Sequence, residues 1–228
     1  AVASSFYSKA QQMSEAFETK HDIKIRIVSG STGRLYNQIK QGAPFDIFIA
    51  ADIERPALLA MQHKQIDQGF VGLKIKGKLV SDLKSLLNKN IRHIAMANPD
   101  VAPFGLATKQ VLQQAGLWQS LQAKLVYAQN AMQTAMMVNQ GLVDAGFIPI
   151  ADKTNALATV PYVAVLLSHT KSAQMFYDFL GSELLTLLGQ RDDGATEVVL
   201  PSGSEALASP SQSSLRKYPR VLASPHAE

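Results

Sequence analysis

Hydrophobic positions along the first 190 residues alternate between the spacing of helices and that of strands. Apolar residues recur every three or four positions over 6–17, which predicts a helix, and every second position over 23–27, which predicts a strand. The same reasoning predicts helices at about 31–41, 106–116, 130–141 and 170–190, and strands at 45–50, 91–97, 125–128, 145–151 and 160–168. Repeated β-α-β units of this kind indicate an α/β fold with mainly parallel sheets and helices on both faces.

The composition is that of a globular protein with a substantial core. The chain has 228 residues, 46% of them hydrophobic, which is enough for two modest domains or one large one. It has no cysteine, so disulfides, thiolate metal sites and cysteine nucleophiles are excluded. No apolar run reaches the roughly 18 residues that cross a bilayer, and residues 1–12 lack the layout of a signal peptide. We therefore expect either a cytosolic protein or a processed mature one.

After Gly189 the chain is rich in Gly, Pro and Ser, which predicts a poorly packed terminus.

Charge and motifs argue against a nucleic-acid-binding protein and against an enzyme. The formal net charge is +4, and the densest basic stretch, 74–78, holds only lysines at alternate positions. A nucleic-acid surface needs a larger basic patch with aromatic residues, so we interpret these lysines as a solvated loop or strand edge. The five histidines show no metal-ligand spacing, and the common phosphate-loop, dinucleotide and nucleophile motifs are missing. The sequence predicts a binding protein that is not an enzyme and has no metal site and no cofactor.

A small polar residue or a glycine recurs where a predicted strand passes into a helix. Such junctions occur at residues 4–5, 30–33, 103–105 and 129–131. The first N–H groups of a helix lack intrahelical partners and carry the positive end of the helix dipole, so they can bind an anion. In parallel α/β sheets these junctions gather at the carboxyl ends of the strands, where ligands bind. The alternative is that each junction is only a helix cap, for which Ser, Thr and Asn are favoured.

The stretch GSTGRLYNQIKQGAPFDIFIAAD at 30–52 is the most specific pattern in the chain. Three further segments follow it in order, at 91–118, 125–147 and 163–183. Together they resemble the periplasmic molybdate-binding proteins, over residues 1 to about 188. The resemblance implies a type II periplasmic binding fold, in which two α/β lobes with parallel-rich sheets are joined by a two-strand hinge. We expect a domain I formed by 1–78 and 162–228 and a domain II formed by 79–161.

The resemblance also implies which residues hold the anion. Carried over by motif, the ligand-binding residues are Ser4, Ser5, Ser31, Thr32, Phe104 and Ala131. The first four would offer hydroxyl groups, and the last two their backbone N–H groups, to molybdate or tungstate without a metal or a countercharge. Some family members carry a tyrosine ligand at the position of Pro149, which offers no donor here. Arg34 is interpreted as a solvated helix residue rather than a ligand contact.

The implied function is that of an extracytoplasmic solute-binding protein. We expect a periplasmic monomer, with its signal peptide removed, that delivers the anion to the permease of a membrane ABC transporter. Two alternatives stay open: a binding protein for another oxyanion such as sulfate or phosphate, and a non-transport ligand-sensing domain of the same fold. An enzyme on this fold would need a titratable group in the cleft, and the residues carried over include none.

Overall fold

The computed structural model describes the backbone of residues 1–188 and the side chains of residues 1–181. Its strands are β1 (Val2–Ala3), β2 (Ser29–Gly30), β3 (Ile47–Ala50), β4 (His63–Ile75), β5 (Lys78–Val80), β6 (Ile94–Ala97), β7 (Leu125–Ala128), β8 (Ala145–Ile150) and β9 (Ala158–Leu166). Its helices are α1 (Tyr7–His21), α2 (Thr32–Lys40), α3 (Glu54–Leu58), α4 (Pro103–Gln114), α5 (Trp118–Leu121), α6 (Ala131–Asn139) and α7 (Lys171–Leu188). The terminus predicted after Gly189 lies outside the described residues.

The strands of the described region form one sheet, in the order β2-β1-β3-β9-β4-β8-β6-β7, with β5 paired to β4. At the first end of the sheet, β1 runs parallel to both β2 and β3. At the second end, β6 runs parallel to both β7 and β8. The α/β class with parallel-rich ends is therefore confirmed, and the strands between the two ends pair in antiparallel fashion.

Two long strands connect the two ends of the sheet. β9 pairs with β3 of the first end, and β4 pairs with β8 of the second end. β4 and β9 also pair with each other from His63 to Val71. This antiparallel pair occupies the place of the two-strand hinge that the resemblance implies. The division into domains of 1–78 with 162–228 and of 79–161 stays a prediction, and residues 189–228 of it lie outside the described region.

One predicted strand is wrong. The segment 22–28 takes part in no strand ladder, and the strand near it, β2, consists only of Ser29 and Gly30. Its isoleucines are half-buried and alternate with exposed residues, which is what produced the strand-like spacing. The backbone N–H of Ile25 donates instead to the carboxylate of Glu18, 2.7 Å away. Apolar residues at every second position indicate that one side of an extended chain is buried. A β-strand also requires backbone hydrogen bonds to a neighbouring strand, which this spacing does not show.

The other predicted elements occur within a few residues of their expected bounds, whereas α3, α5, β1, β2, β4 and β5 were not predicted. The lysine-rich stretch 74–78 was interpreted as a solvated loop or strand edge, and it is the end of β4, a tight turn and the start of β5. Lys76 and Gly77 both have positive φ in this turn, at 44° and 83°. Two adjacent positive φ angles are typical of the type I′ turn of a hairpin.

Helices α1 and α7 enclose an aromatic part of the core at the first end of the sheet. The ring of Phe17 in α1 lies 5.0 Å from that of Phe176 and 5.2 Å from that of Phe179, both in α7, with edge-on geometry. Phe17 is fully buried. Such aromatic packing contributes roughly 0.5–1.5 kcal/mol per pair beyond the area it buries, and it fixes α1, whose preceding turn carries two of the predicted site residues.

Candidate anion-binding site

Four strand-to-helix junctions meet at one small cavity between the two ends of the sheet. All six residues predicted to bind the anion line it. The complete lining is Ala3, Ser4, Ser5, Gly30, Ser31, Thr32, Ala51, Ala102, Pro103, Phe104 and Ala131. The structure thus brings the predicted residues together, from junctions that lie up to 127 positions apart in the sequence. Their role as anion ligands stays a prediction.

The start of α2 contributes two buried hydroxyl groups that do not cap their own helix. Ser31 occupies the N-cap position, but its side chain makes no capping hydrogen bond. Ser31 Oγ is buried and has no hydrogen-bond partner within the described residues. Thr32 Oγ1 accepts a hydrogen bond of 3.1 Å from the backbone N–H of Ala51, which leaves the Thr32 proton available to a ligand. The interpretation of these two residues as ordinary helix caps is therefore wrong.

The 3-10 turn Ser4–Phe6 places two more hydroxyl groups at the cavity. The turn follows β1 directly and leads into α1, and no side chain caps it. Ser4 is buried, whereas Ser5 is half-buried. Burial raises the pKa of Tyr162, a residue of β9, and hydrogen bonding by the Ser5 side chain opposes part of that rise. The first end of the sheet therefore offers four hydroxyl groups at one place.

The second end of the sheet contributes the first turns of α4 and α6. Pro103 is the first residue of α4, and Phe104 follows it. Ala131 is the first residue of α6, and Asn130 before it is a true cap, because its side chain accepts a hydrogen bond from Gln133 N–H at 2.9 Å. The N–H groups of Phe104 and Ala131 belong to the first helical turn, where the helix itself supplies no acceptor and the dipole favours an anion.

One glycine brings α4 close enough to the sheet for this arrangement. A Cβ atom on Gly105 would lie 2.1 Å from the carbonyl oxygen of Ala97, the last residue of β6. Any side chain at position 105 would therefore push α4 away from the end of β6. Since Phe104 precedes this glycine, the position of its N–H group depends on the close approach.

Two hydrogen bonds join the junctions of the first and second ends beside the cavity. The Gly33 N–H donates to the carbonyl oxygen of Val101 at 2.9 Å. Arg34 Nη1 donates to Gln129 Oε1 at 2.8 Å. Arg34 is exposed and does not line the cavity, which agrees with its interpretation as a solvated helix residue. Its contact with Gln129 was not predicted. These bonds hold α2 against the second end.

The electrostatics of the cavity come from neutral groups. Its lining residues include no Asp, Glu, Lys, Arg or His. The nearest ion pair joins Asp52 and Arg55, one residue after Ala51, and these two residues also lie outside the lining. Over the part of the chain that the structure describes, no cluster of His, Asp and Glu could hold a metal ion. The hydroxyl and N–H groups of the lining can therefore donate hydrogen bonds to an anion.

The cavity is small, with a volume of about 10 Å³. That is room for about one water molecule, so a tetrahedral oxyanion would have to move the surrounding turns apart slightly. Two larger cavities exist among the described residues, of about 470 and 460 Å³. The first is lined mainly by apolar residues of α1, α7 and 23–28, and the second lies between α1, α6 and the central strands. The small cavity differs from the two larger ones in the hydroxyl and N–H groups that meet there, and its volume does not mark it as a binding site.

Pro149 lies in β8 opposite Val71 of β4 and lines the cavity of about 460 Å³, which Ser5 also lines. Its side chain is close to the predicted site but carries no polar atom. The position that holds a tyrosine in some molybdate-binding proteins therefore borders open space here.

The family model for the bacterial extracellular solute-binding proteins matches residues 1–184. The chain belongs to this family. No helix in the described region is long and apolar enough to cross a membrane.

Among the relatives of this solute-binding protein are two molybdate-binding proteins ModA. That of Rhodobacter capsulatus is 31% identical over 162 residues, 65% of this chain and 62% of the relative. That of Azotobacter vinelandii is 32% identical over 161 residues, 66% of this chain and 64% of the relative. The chain thus spans less than two thirds of the length of these relatives. The solved periplasmic molybdate-binding protein of A. vinelandii matches with a TM-score of 0.72 and 25% identity, covering 82% of this chain and 95% of that one. The periplasmic binding fold expected from the sequence is confirmed.

Sequence reasoning missed Tyr162, whose ring lies 4.7 Å from that of Phe6 and 6.5 Å from that of Phe104. A signal was present in the sequence, since Tyr162 is in phase with the buried positions Val160 and Ala164 of an apolar strand. A tyrosine at such a position normally needs a hydrogen-bond partner for its hydroxyl. The sequence could not tell that the partner is Ser5.

Proposed function

We propose that this protein captures molybdate or tungstate outside the cytoplasm and delivers it to a membrane ABC transporter. The observation that carries the proposal is the single cavity that the six residues line, with hydroxyl groups from the first end of the sheet, N–H groups from the second and no charged side chain. Molybdate binding is also what the names of the two curated relatives and the solved neighbour state for those proteins.

Neutral donors suit a fully deprotonated dianion. Molybdate, tungstate and sulfate have no proton to donate near neutral pH, so every hydrogen bond they make must come from the protein. Hydroxyl and backbone N–H groups can all donate, and the N-termini of α4 and α6 add favourable dipoles. Hydrogen bonds to a charged group contribute about 1.5–3 kcal/mol each, which makes several such donors sufficient for tight binding.

Phosphate differs because it keeps a proton near neutral pH and needs an acceptor for it. The lining offers no carboxylate, so phosphate is expected to bind more weakly than the deprotonated anions. Sulfate carries the same charge as molybdate but is smaller. Discrimination between those two must come from how closely the donors surround the anion, since their charges are equal.

The remaining parts of the proposal concern location and partner. An extracellular solute-binding protein works outside the cytoplasm, which supports a periplasmic location for this member of the family. A captured anion must then pass through a membrane permease, so the binding protein has to dock on one. A bound anion would stabilise the arrangement in which the two ends of the sheet lie together, because the donors come from both. Delivery requires that the permease recognises this anion-bound arrangement of the binding protein.

Isothermal titration calorimetry with molybdate, tungstate, sulfate and phosphate in turn tests the proposal. We expect tight binding of molybdate and tungstate, weaker binding of sulfate and the weakest of phosphate. In a variant with both Ser31→Ala and Thr32→Val, the Kd for molybdate should rise at least 100-fold. Ser120→Ala, which removes an exposed hydroxyl of α5, should bind molybdate like the parent. Binding of none of the four anions would refute the function, and a preference for sulfate or phosphate would favour the alternative ligands.

A further inference from the structure

The two ends of the sheet touch backbone to backbone beside the anion site, at Gly33 and Val101. Gly33 is the second residue of α2, and its N–H donates to the carbonyl oxygen of Val101, 2.9 Å away. A Cβ atom on Gly33 would lie 2.9 Å from that oxygen and 3.2 Å from Val101 Cα. Cβ atoms essentially never approach other atoms to less than 3.0 Å. Only glycine therefore allows the two ends to lie this close at this point.

The turn that precedes α4 holds the Val101 carbonyl in place. The carbonyl oxygen of Asn98 accepts a hydrogen bond from the N–H of Ala102 at 2.9 Å and another from the N–H of Val101 at 3.3 Å. The Asn98 side chain accepts a third from the N–H of Asp100 at 2.9 Å. On the other side of the contact, Gly33 is buried in the first turn of α2. Since both partners are fixed backbone, the Gly33–Val101 contact sets the smallest distance between the two ends.

The Gly33–Val101 contact lies next to proposed donors of both ends. Thr32 directly precedes Gly33 in the sequence, and Phe104 follows Val101 by three positions. A change in the contact distance therefore changes how far the Thr32 hydroxyl lies from the Phe104 N–H. That distance decides how small an anion can be and still receive hydrogen bonds from both ends.

We propose that Gly33 is a specificity-determining residue, because its contact with Val101 sets the lower limit of the anion size that the site can surround. This inference rests on the proposed capture of an oxyanion. A bound anion holds the two ends apart, and the smaller the anion is, the nearer the ends must come to this limit. A side chain at position 33 would raise the limit. Sulfate, which is smaller than molybdate, would then be the first anion to lose donors from one end.

Gly33→Ala tests this inference, because it adds one Cβ atom and keeps the N–H group. Kd values of the full chain for sulfate, molybdate and tungstate are measured by calorimetry, with titrations extended to millimolar anion so that weak binding still yields a Kd. We expect the Kd for sulfate to rise about tenfold or more, which corresponds to the loss of one hydrogen bond to the anion. The Kd values for molybdate and tungstate should rise less than about threefold. The ratio of the sulfate Kd to the molybdate Kd should thus rise at least about threefold over that of the parent.

Two control variants separate a limit on anion size from other effects of the substitution. Gly181→Ala also places alanine in a helix, α7, but its Cβ would meet only the flexible side chain of Lys64, away from the cavity. Arg34→Ala breaks the contact with Gln129, which joins the ends of two exposed side chains that can follow a change in separation. Both variants should leave the ratio of the two Kd values as in the parent.

Thermal unfolding shows whether Gly33→Ala is folded. Alanine is favoured over glycine within a helix, and the two ends can relieve the close contact by moving apart, so we expect a folded protein. A variant that does not fold, one that binds none of the three anions, or one whose ratio rises less than stated would overturn the inference while oxyanion binding by the parent stands. A parent that binds no oxyanion would overturn the proposed function, and this inference with it.

Discussion

Replacing Ser31 by alanine is expected to stabilise the ligand-free protein and to weaken anion binding. Ser31 Oγ is buried without a hydrogen-bond partner among the described residues. A buried hydroxyl in that state costs about 1–3 kcal/mol. Its removal should therefore increase the free energy of unfolding by up to that amount, which corresponds to a rise in Tm of roughly 2–4 °C per kcal/mol for a protein of this size. If Ser31 were a functioning helix cap, alanine would instead cost about 0.5–2 kcal/mol.

Although Ser31→Ala should stabilise the ligand-free protein, it should weaken anion binding. If the Ser31 hydroxyl donates to a desolvated dianion, its loss removes about 1.5–3 kcal/mol of binding free energy. At 25 °C this is about one to two decades in the Kd for molybdate. Thermal unfolding without ligand measures the first effect, and calorimetric titration with molybdate measures the second.

Ser14 provides a matched control for this experiment. It is the other described residue whose buried hydroxyl has no partner, and it lies in α1 outside the small cavity. Ser14→Ala should raise Tm in the same way, because it also removes a buried unsatisfied group, but should leave the Kd unchanged. A Ser31→Ala protein that melts earlier than the parent and binds molybdate equally well would refute the reasoning, and Ser31 would then be a structural residue only.

Three further predictions follow from the geometry of the site. Ala131→Pro removes one N–H group at the first position of α6. Proline is favoured at that position, so Tm should stay within about 2 °C of the parent, whereas the Kd for molybdate should rise about 10- to 100-fold. An unchanged Kd would show that this N–H does not bind the anion. Arg34→Ala breaks an exposed contact with Gln129 and should weaken binding less than about fivefold; complete loss in calorimetry would mean that the site uses formal charge. Molybdate affinity should be constant between pH 6 and 8, because no lining residue titrates there, and a tenfold change over that range would contradict the neutral-donor site.

The junctions that line the cavity could be predicted from local patterns, and the resemblance to the molybdate-binding proteins then indicated six residues there, whose role as ligands stays a prediction. Ser31 precedes the amphipathic helix α2 and Thr32 is its first residue, and Phe104 follows the proline that starts α4. Parallel pairing places the carboxyl ends of β1 and β2 together at the first end of the sheet and those of β6 and β7 together at the second. The two sets run in opposite directions, because three antiparallel pairings lie between them, and the turns that follow both sets line the same cavity. What the sequence could not decide was capping or ligand binding at Ser31, since that depends on whether its hydroxyl finds a partner.

The central strand β4 illustrates what local patterns cannot show. Its register against β9 shifts between Gln65 and Asp67, so a single period of two does not run through the strand. Gly69 and Gly72 interrupt the pattern further, and both are places where neighbouring side chains, Tyr162 and Ile150, come close. These glycines serve contacts with residues about 80 to 90 positions away, and such contacts leave no trace within a short window of sequence.

The two ends of the sheet offer different kinds of donor, and the reason lies in their backbones. At α2 the Gly33 N–H is already bonded to Val101, so the first end offers its hydroxyl groups. At α4 and α6 the side chains of Phe104 and Ala131 have no polar atoms, so the second end offers N–H groups. Both kinds are neutral and compensate any dianion in a similar way. Selectivity between anions of equal charge must therefore depend on how far the junctions stand apart, and substitutions that move them, such as Gly105→Ala, should change ligand preference more than substitutions of single donors.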